Sequence, residues 1–214
     1  MPEDLTKSFK DLRLNSQKRD QLIIKKCVEM LGHRNLLNKD DFETNYKIAL
    51  ESYDELTHLC SFNTPKLSFK VRIINEKVST LNKISGLTQL LDSEQDILKL
   101  IVVQDIQLKP FSDIIEYSNA EVFWIHELII DPVNHIITPK HIPLTNEEKE
   151  NVLKEYEVKK KDLPRIDITD FMVRYYKLSE GDIFEIHRIS IASGEAVTYR
   201  LVTKCSWEKL FLKA

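Results

Sequence analysis

A histidine followed by a glutamate, His126 and Glu127, lies within the apolar stretch VFWIHELII. A zinc protease motif of the form HExxH needs a second histidine four residues after the first, where this chain has Ile130. His135 and His141 stand in a proline-rich stretch with no cysteine near them, which is a poor setting for a metal site. We therefore expect neither a bound metal nor peptidase chemistry.

Acidic side chains near a histidine are the other group that could do chemistry. A metal-dependent nuclease needs carboxylates at a strand end, beside a lysine, to position a metal and a water. Asp182 and Glu185 with His187 come closest to this arrangement. The start of a strand and its exposed face explain their spacing better. A nuclease is therefore the weaker alternative.

Glycine-rich loops and reactive cysteines offer no further chemistry. The patterns GxGxxG, GxxxxGK[ST] and GxSxG do not occur, and four glycines in 214 residues leave little scope for a phosphate cradle. Cys27, Cys60 and Cys205 are widely separated, with no CxxC pair. We predict buried or unreactive thiols, no cofactor and no catalytic residue.

The composition is typical of a folded protein, and the apolar stretches and N-terminus lead us to expect a location inside the cell. Hydrophobic residues make up 42% and charged residues 30%, and the length allows two small domains. With a net charge of -3, any contact with nucleic acid must be local. The longest apolar stretch is too short to span a bilayer, and the acidic N-terminus does not have the form of a secretory signal.

Apolar spacing in the first half predicts an α/β domain, in which helices alternate with buried strands. Helices are predicted over residues 16–31, 40–56 and 109–118. Strands are predicted over residues 67–73, 97–104 and 122–130. Ser16 is expected to cap the first helix and Gly32 to end it, and Pro110 stands at the start of the third helix.

The second half is predicted to form a small platform of helices and a hairpin. Thr145 should cap an acidic helix whose inner side carries Val152 and Tyr156. Asp170 should cap a two-turn helix, and Gly181 is free to take a positive φ. Two strands, over residues 182–189 and 197–202, should then pair through a turn at residues 193–195.

Several short motifs of this half are those of one known family. They are LPRI from residue 163, RYY after Asp170, GD at residue 181, Arg188 with Ser190, and VTYRLV after Gly194. Together they resemble the C-terminal assembly domain of the shared fifth subunit of eukaryotic RNA polymerases, a domain that in archaea forms a small polymerase subunit by itself. The segments EMLGHRN, LIVVQ, HELII and TPKHIPLT continue the resemblance more loosely over nearly the whole chain.

The chain departs from the family at several positions. Phe171 stands where the family usually has a proline, and so does Ile189. Ser179 and Glu180 replace a basic pair. These changes indicate a divergent lineage, such as a rapidly evolving eukaryote or a large DNA virus with its own polymerase.

The resemblance implies a noncatalytic structural subunit of a DNA-directed RNA polymerase. Its C-terminal domain would dock on the largest subunit, beside neighbouring small subunits, and its N-terminal domain would form part of the jaw near downstream duplex DNA. It implies no membrane and no small-molecule substrate, and a location in the nucleus, or in a virion or viral factory. A free-standing transcription regulator that binds polymerase reversibly stays open as an alternative.

The predicted fold class is α/β, or α+β overall, with a three-layer jaw domain and a helix-and-hairpin assembly domain. The domains follow in order: a tail, the jaw domain, a linker, the assembly domain and an extension. They are predicted at residues 1–15, 16–132, 133–145, 146–204 and 205–214.

Candidate site residues follow from the resemblance and from residue type. Lys109 and Pro110 would lie in a DNA-proximal loop, although a solvated surface lysine is the plainer reading of the first. Arginines and tyrosines are favoured at interfaces because they join apolar area to a polar end. The interface candidates are Arg165, Arg174, Tyr175, Tyr176, Arg188, Tyr199 and Arg200. Each arginine has an alternative role as partner of a local carboxylate, and for Arg200 that structural role is favoured.

Overall fold

The computed structural model describes residues 16–37, 41–63, 68–93, 96–190 and 194–204, with Trp207 and Phe211. The predicted tail, and the predicted extension apart from those two aromatic residues, lie outside the described residues. The chain divides into two compact units, Met1–Asp131 and Pro132–Ala214. Each unit combines helices with a sheet of four strands, which confirms the predicted α/β fold class.

The first unit is built on a mostly parallel sheet. Its strands are β1 (Leu59–Asn63), β2 (Ser68–Val78), β3 (Ile97–Ile106) and β4 (Ala120–Trp124). Its helices are α1 (Ser16–His33), α2 (Phe42–Glu51), α3 (Leu87–Asp92), α4 (Leu108–Ile115) and α5 (Ile125–Ile130), with a 3₁₀ turn at Leu81–Lys83. β1 is antiparallel to β2, whereas β2, β3 and β4 run parallel in that order.

The core of the first unit follows the predicted pattern closely. Every side chain of β3 from Ile97 to Val103 is buried, as expected for a parallel strand covered on both faces. Helix α1 buries the predicted residues Ile23, Cys27 and Met30. Both described cysteines are buried free thiols, as predicted, and Cys205 lies outside the described residues.

The strand predicted over residues 122–130 is wrong in its second half. The chain leaves the sheet after Trp124 and turns into α5. The Glu127 carboxylate accepts a hydrogen bond from the Trp124 backbone N–H at 3.1 Å, which caps the new helix. Ile125, Leu128 and Ile129 are the buried residues of α5, at the i, i+3, i+4 spacing of a helix.

The ends of the first two helices also differ from the prediction. Asn35, and not Gly32, takes the left-handed conformation after α1, with φ 57°. Helix α2 ends at Glu51 instead of continuing to residue 56. The cause is a local turn, in which the Asp54 carboxylate accepts from the Leu56 N–H at 3.0 Å.

The second unit places a sheet between two short helices. Its strands are β5 (Lys140–Pro143), β6 (Arg165–Asp167), β7 (Ile183–Ser190) and β8 (Gly194–Thr203). Its helices are α6 (Asn146–Glu155) and α7 (Phe171–Tyr175), with a 3₁₀ turn at Lys160–Asp162. The strand order is β5-β7-β8-β6, so the hairpin β7–β8 is flanked by a short strand on each side.

Strand β7 contributes to a core on each face of this sheet. Phe184 and Ile186 pack with Val173 of α7 and with Val202. Ile183 packs with Val152 of α6 on the other side. The platform is therefore a three-layer unit in which both helices are anchored to the same strand.

The predicted caps of the second unit are confirmed. Thr145 and Glu148 form a reciprocal capping box at the start of α6. The Asp170 side chain accepts from the Met172 N–H at 2.9 Å, and Gly181 has φ 90°. Thr145 and Asp170 thus cap the starts of α6 and α7, and Gly181 takes the positive φ that its residue type allows.

Two predictions for this unit are wrong. The predicted linker, residues 133–145, contains strand β5, because its residues from Lys140 onward pair with β7. Tyr156 was expected on the inner side of α6 but is 54% exposed, since the helix ends one residue earlier. The predicted turn at residues 193–195 lies partly outside the described residues.

Candidate protein-interaction platform

The Asp170 cap fixes the short helix that carries two of the interface candidates, with a third, Tyr176, directly after it. Arg174 lies one turn along α7, where its Nε donates to the Thr169 carbonyl at 3.2 Å. Its guanidinium also lies 5.9 Å from the centre of the Phe171 ring. Arg174 thus contacts a backbone carbonyl and an aromatic ring of its own unit, and its side chain is partly buried.

The two tyrosines that follow Arg174 belong to an aromatic cluster. Tyr175 is only 4% exposed, and its ring centre lies 5.2 Å from that of Tyr176. Tyr176 in turn contacts Phe184 edge-on at 5.8 Å. Burial raises the pKa of the Tyr176 hydroxyl. Within the unit Tyr175 is a core residue, and Tyr176 presents only part of its ring to solvent.

Tyr199 lies on β8 and faces the end of α6. Its ring centre lies 5.5 Å from that of Tyr156, in an edge-on arrangement. Burial, followed by the charge of Glu185, raises the pKa of Tyr199 to about 12. The hydroxyl is therefore a neutral donor at physiological pH and not a proton-transfer group.

The other three arginines differ in exposure. Arg165 and Arg188 are exposed, and neither forms an ion pair within the described part of the chain. Arg200 is partly buried, opposite Phe184 in the sheet register. Burial lowers the pKa of His141, and the charges of Arg200 and Arg188 lower it further. The hydrogen bond to the Pro139 carbonyl and the charge of Asp170 oppose this shift but do not cancel it. The positive charges of Arg188 and Arg200 thus both reach His141 on one face of the hairpin β7–β8.

Apolar side chains beside Arg188 are also exposed, and the sequence interpretation did not select them. Ile189 is 93% exposed and Val197 on the facing strand is 44% exposed. Ile136 and Ile137 are 72% and 77% exposed in the turn before β5. The strand alternation of β7 could have revealed Ile189, because it continues the face of Glu185 beyond the cover of α6. Arginine beside exposed aliphatic side chains is typical of a protein interface.

The acidic residues considered for nuclease chemistry are engaged in structural contacts. Asp182 accepts from Lys149 Nζ at 2.6 Å and from the Ser179 N–H at 2.7 Å. Glu185 Oε1 lies 2.6 Å from His187 Nε2, on the same face of β7. Within the described ranges, no group of three or more metal-ligating side chains comes together. No helix in those ranges is long and apolar enough to cross a membrane.

Lys109 and Pro110 lie in the first turn of α4, just after β3 ends. Lys109 is exposed and Pro110 is buried. The site is at the carboxyl end of a central parallel strand, where α/β sheets place ligand-binding loops. Lys109 therefore offers an accessible charge, while Pro110 fixes the backbone that carries it.

The family described as RNA polymerase Rpb5, C-terminal domain, matches residues 130–202. The DNA-directed RNA polymerases I, II, and III subunit rpabc1 of Dictyostelium discoideum is 32% identical over 84% of this chain and 94% of its own length. DNA-directed RNA polymerase subunit 5 of Acanthamoeba polyphaga mimivirus is 27% identical over 92% of this chain and 98% of its own length.

These matches show the family. The chain belongs to the RNA polymerase subunit 5 family. This confirms the resemblance read from the short motifs, and with it the prediction of a polymerase subunit that is not itself catalytic.

Proposed function

We propose that this protein is a structural subunit whose second unit docks on the largest subunit of a DNA-directed RNA polymerase. The observation that carries the proposal is that the matched segment, residues 130–202, contains the exposed side chains of Arg165, Arg188 and Ile189. Buried arginine–carboxylate pairs and aliphatic contacts would hold such an interface. Neighbouring small subunits would contact the same platform.

The proposed cellular location depends on which polymerase contains the protein. The relatives include subunits of polymerases I, II and III and a mimivirus subunit. We propose that the protein acts in transcription in the nucleus, or in a virion or viral factory if a virus encodes it.

Charge reversal in the platform tests the docking. Arg165→Glu and Arg188→Glu should each reduce recovery with the polymerase, because a carboxylate would then face the acidic groups that the arginine pairs with. Lys83→Glu, an exposed change in the first unit, is the matched control. Recovery of both arginine variants at the level of the control would refute docking through these two arginines.

The first unit would form part of the jaw near downstream duplex DNA. Lys109 is the group proposed to contact a phosphate there, weakly and without sequence preference. In assembled polymerase, Lys109→Gln should lower the salt dependence of DNA binding by a slope of about 1. An unchanged slope would show that Lys109 makes no phosphate contact and is a solvated surface lysine.

A further inference from the structure

Three side chains of the first unit meet at one buried carboxylate oxygen. Asp20 of α1 is fully buried, and its Oδ2 lies 2.7 Å from Tyr53 Oη and 2.8 Å from His58 Nδ1. Tyr53 Oη and His58 Nδ1 are also 2.8 Å apart. Each of the three atoms is therefore within hydrogen-bond distance of the other two, and the positions of the protons decide whether these contacts are attractive.

The phenolic proton of Tyr53 is used in the contact with Asp20. Burial, followed by the hydrogen bond to Asp20, raises the pKa of the Tyr53 hydroxyl, so this group is a donor at neutral pH. An ionised carboxylate only accepts hydrogen bonds, which makes Asp20 Oδ2 the acceptor. The two contacts of His58 Nδ1 therefore need a second proton.

A proton on His58 Nδ1 satisfies both of these contacts. The Nδ1–H group can donate to Asp20 Oδ2 and share its proton with Tyr53 Oη. A bare Nδ1 would instead place its lone pair 2.8 Å from a carboxylate oxygen with no proton between them. A proton shared by a carboxylate and an imidazole resides on the imidazole, which is the stronger base. The geometry thus requires the Nδ1–H form of the neutral ring.

The second ring nitrogen of His58 has a different environment. The His58 side chain is 34% exposed. Its Nε2 forms no hydrogen bond within the described part of the chain, and it is not a buried atom. In a neutral ring that carries its proton on Nδ1, Nε2 has the free lone pair and binds any further proton.

The backbone of His58 is held as firmly as its ring. His58 has φ 49°, in the left-handed region that residues other than glycine adopt rarely. Its carbonyl accepts from the Ile73 N–H of β2 at 2.9 Å. The side chain is thus bound to α1 and the backbone to β2, which fixes the orientation of the ring.

The charged and titratable groups around the ring come from three segments of the first unit. They are Arg19 and Asp20 of α1, Tyr53, Asp54 and Glu55 of the segment between α2 and β1, and Arg72 of β2. Asp54 is engaged with the Leu56 N–H and the Thr57 hydroxyl. Within the described residues, Asp20 is the carboxylate that contacts the ring.

We propose that Asp20 and Tyr53 hold His58 with its proton on Nδ1, so that a change of pH acts only at the solvent-accessible Nε2. The fixed ring then presents a hydrogen-bond acceptor when it is neutral. When it is protonated, it presents a donor and a positive charge at the same position. His58 is thus a pH-sensitive group built into the surface of the first unit.

Nuclear magnetic resonance of the ¹⁵N-labelled full-length chain tests this assignment, because protonated and bare imidazole nitrogens have well separated ¹⁵N shifts. The His58 signals are identified by their loss in His58→Gln. Two other histidines calibrate the spectrum. His141 Nδ1 lies 2.7 Å from the Pro139 carbonyl and must carry a proton, whereas His135 Nδ1 accepts from the Ile137 N–H at 3.3 Å.

At about pH 8, above the usual titration range of histidine, His58 should match His141, with a protonated Nδ1 and a bare Nε2. As the pH falls, the shift of His58 Nε2 should change strongly, while that of Nδ1 stays nearly constant. A His58 spectrum like that of His135 would overturn the proposal. So would a Nδ1 shift that changes as much as the Nε2 shift.

Tyr53→Phe tests which partner accepts the Nδ1 proton. The variant keeps the aromatic ring and Asp20 but removes the hydroxyl, so His58 Nδ1 should stay protonated. A bare Nδ1 in the folded variant would contradict the assignment of Asp20 as the acceptor. If Tyr53→Phe does not fold, the wild-type spectrum decides.

Discussion

The two units use their charged side chains differently. In the first unit Lys99 is fully buried, and Arg34, with its side chain 3% exposed, pairs with Glu121 at 2.7 Å. In the second unit Arg188 is exposed beside Ile189. Lys99 and Arg34 are thus satisfied inside the first unit, whereas Arg188 and Ile189 lie at the surface of the second.

A second buried charge of the first unit, Asp20, lies in a cluster with a tyrosine and a histidine. Tyr53 Oη donates to Asp20 Oδ2 at 2.7 Å, and His58 Nδ1 lies 2.8 Å from the same oxygen. Burial, and then the bond to Asp20, raises the pKa of the Tyr53 hydroxyl, so it stays a donor. The cluster ties α1 to the segment before β1, which makes it a structural contact.

The largest effect is expected at Lys99. Its Nζ donates to the Leu91 and Ser93 carbonyls at 2.6 and 2.7 Å. Lys99→Ala would open a cavity and leave both carbonyls without this donor, which should cost about 2–5 kcal/mol of unfolding free energy. Urea titration of the isolated chain measures the loss. Lys109→Ala, at an exposed lysine, is the control. Equal unfolding free energies for the two variants would contradict a stabilising role for the buried Lys99.

A smaller effect is expected at the cap of α7 in the platform. Asp170→Ala removes the acceptor for the Met172 N–H and should cost about 1 kcal/mol. Asp170→Asn keeps an acceptor oxygen and should cost much less. Thermal unfolding of both variants checks this. If alanine and asparagine were equally destabilising, the charge of Asp170, and not its capping bond, would be the stabilising feature.

The smallest effect concerns the pH dependence of the platform. Burial lowers the pKa of His141 from 6.5, so the folded unit favours the neutral ring. Above that pH both states are neutral and His141 contributes nothing. As the pH falls through 6.5, the unfolded chain binds the proton first, and stability is lost. Unfolding between about pH 7 and pH 5 should therefore show a steeper loss for the wild type than for His141→Gln. Identical slopes would contradict the depressed pKa.

Local signals in the sequence were sufficient to predict helix caps and turns, where one residue type has one dominant structural role. The caps Thr145 and Asp170 and the turn residue Gly181 were predicted because their side chains, or the lack of one, act within a few residues. The resemblance identified the family from motifs in the same region. Such features depend little on the rest of the fold.

Features that depend on distant residues were missed. The end of β4 at Trp124 was hidden because an apolar run fits both a buried strand and a buried helix. Lys99 appeared to be an ordinary strand residue, since nothing nearby in sequence shows that the Leu91 and Ser93 carbonyls receive its amine. Tyr175 was assigned to the interface by residue type but is buried against its neighbours. That β6 pairs only with Leu201, Val202 and Thr203 of β8 could be seen only in the structure.

The most direct test is to purify the tagged protein from its native source at moderately high salt and to identify what stays with it. We expect stoichiometric recovery with the two very large subunits of a DNA-directed RNA polymerase. Recovery as a free chain of 25.1 kDa would contradict a core subunit and favour a regulator that binds polymerase reversibly.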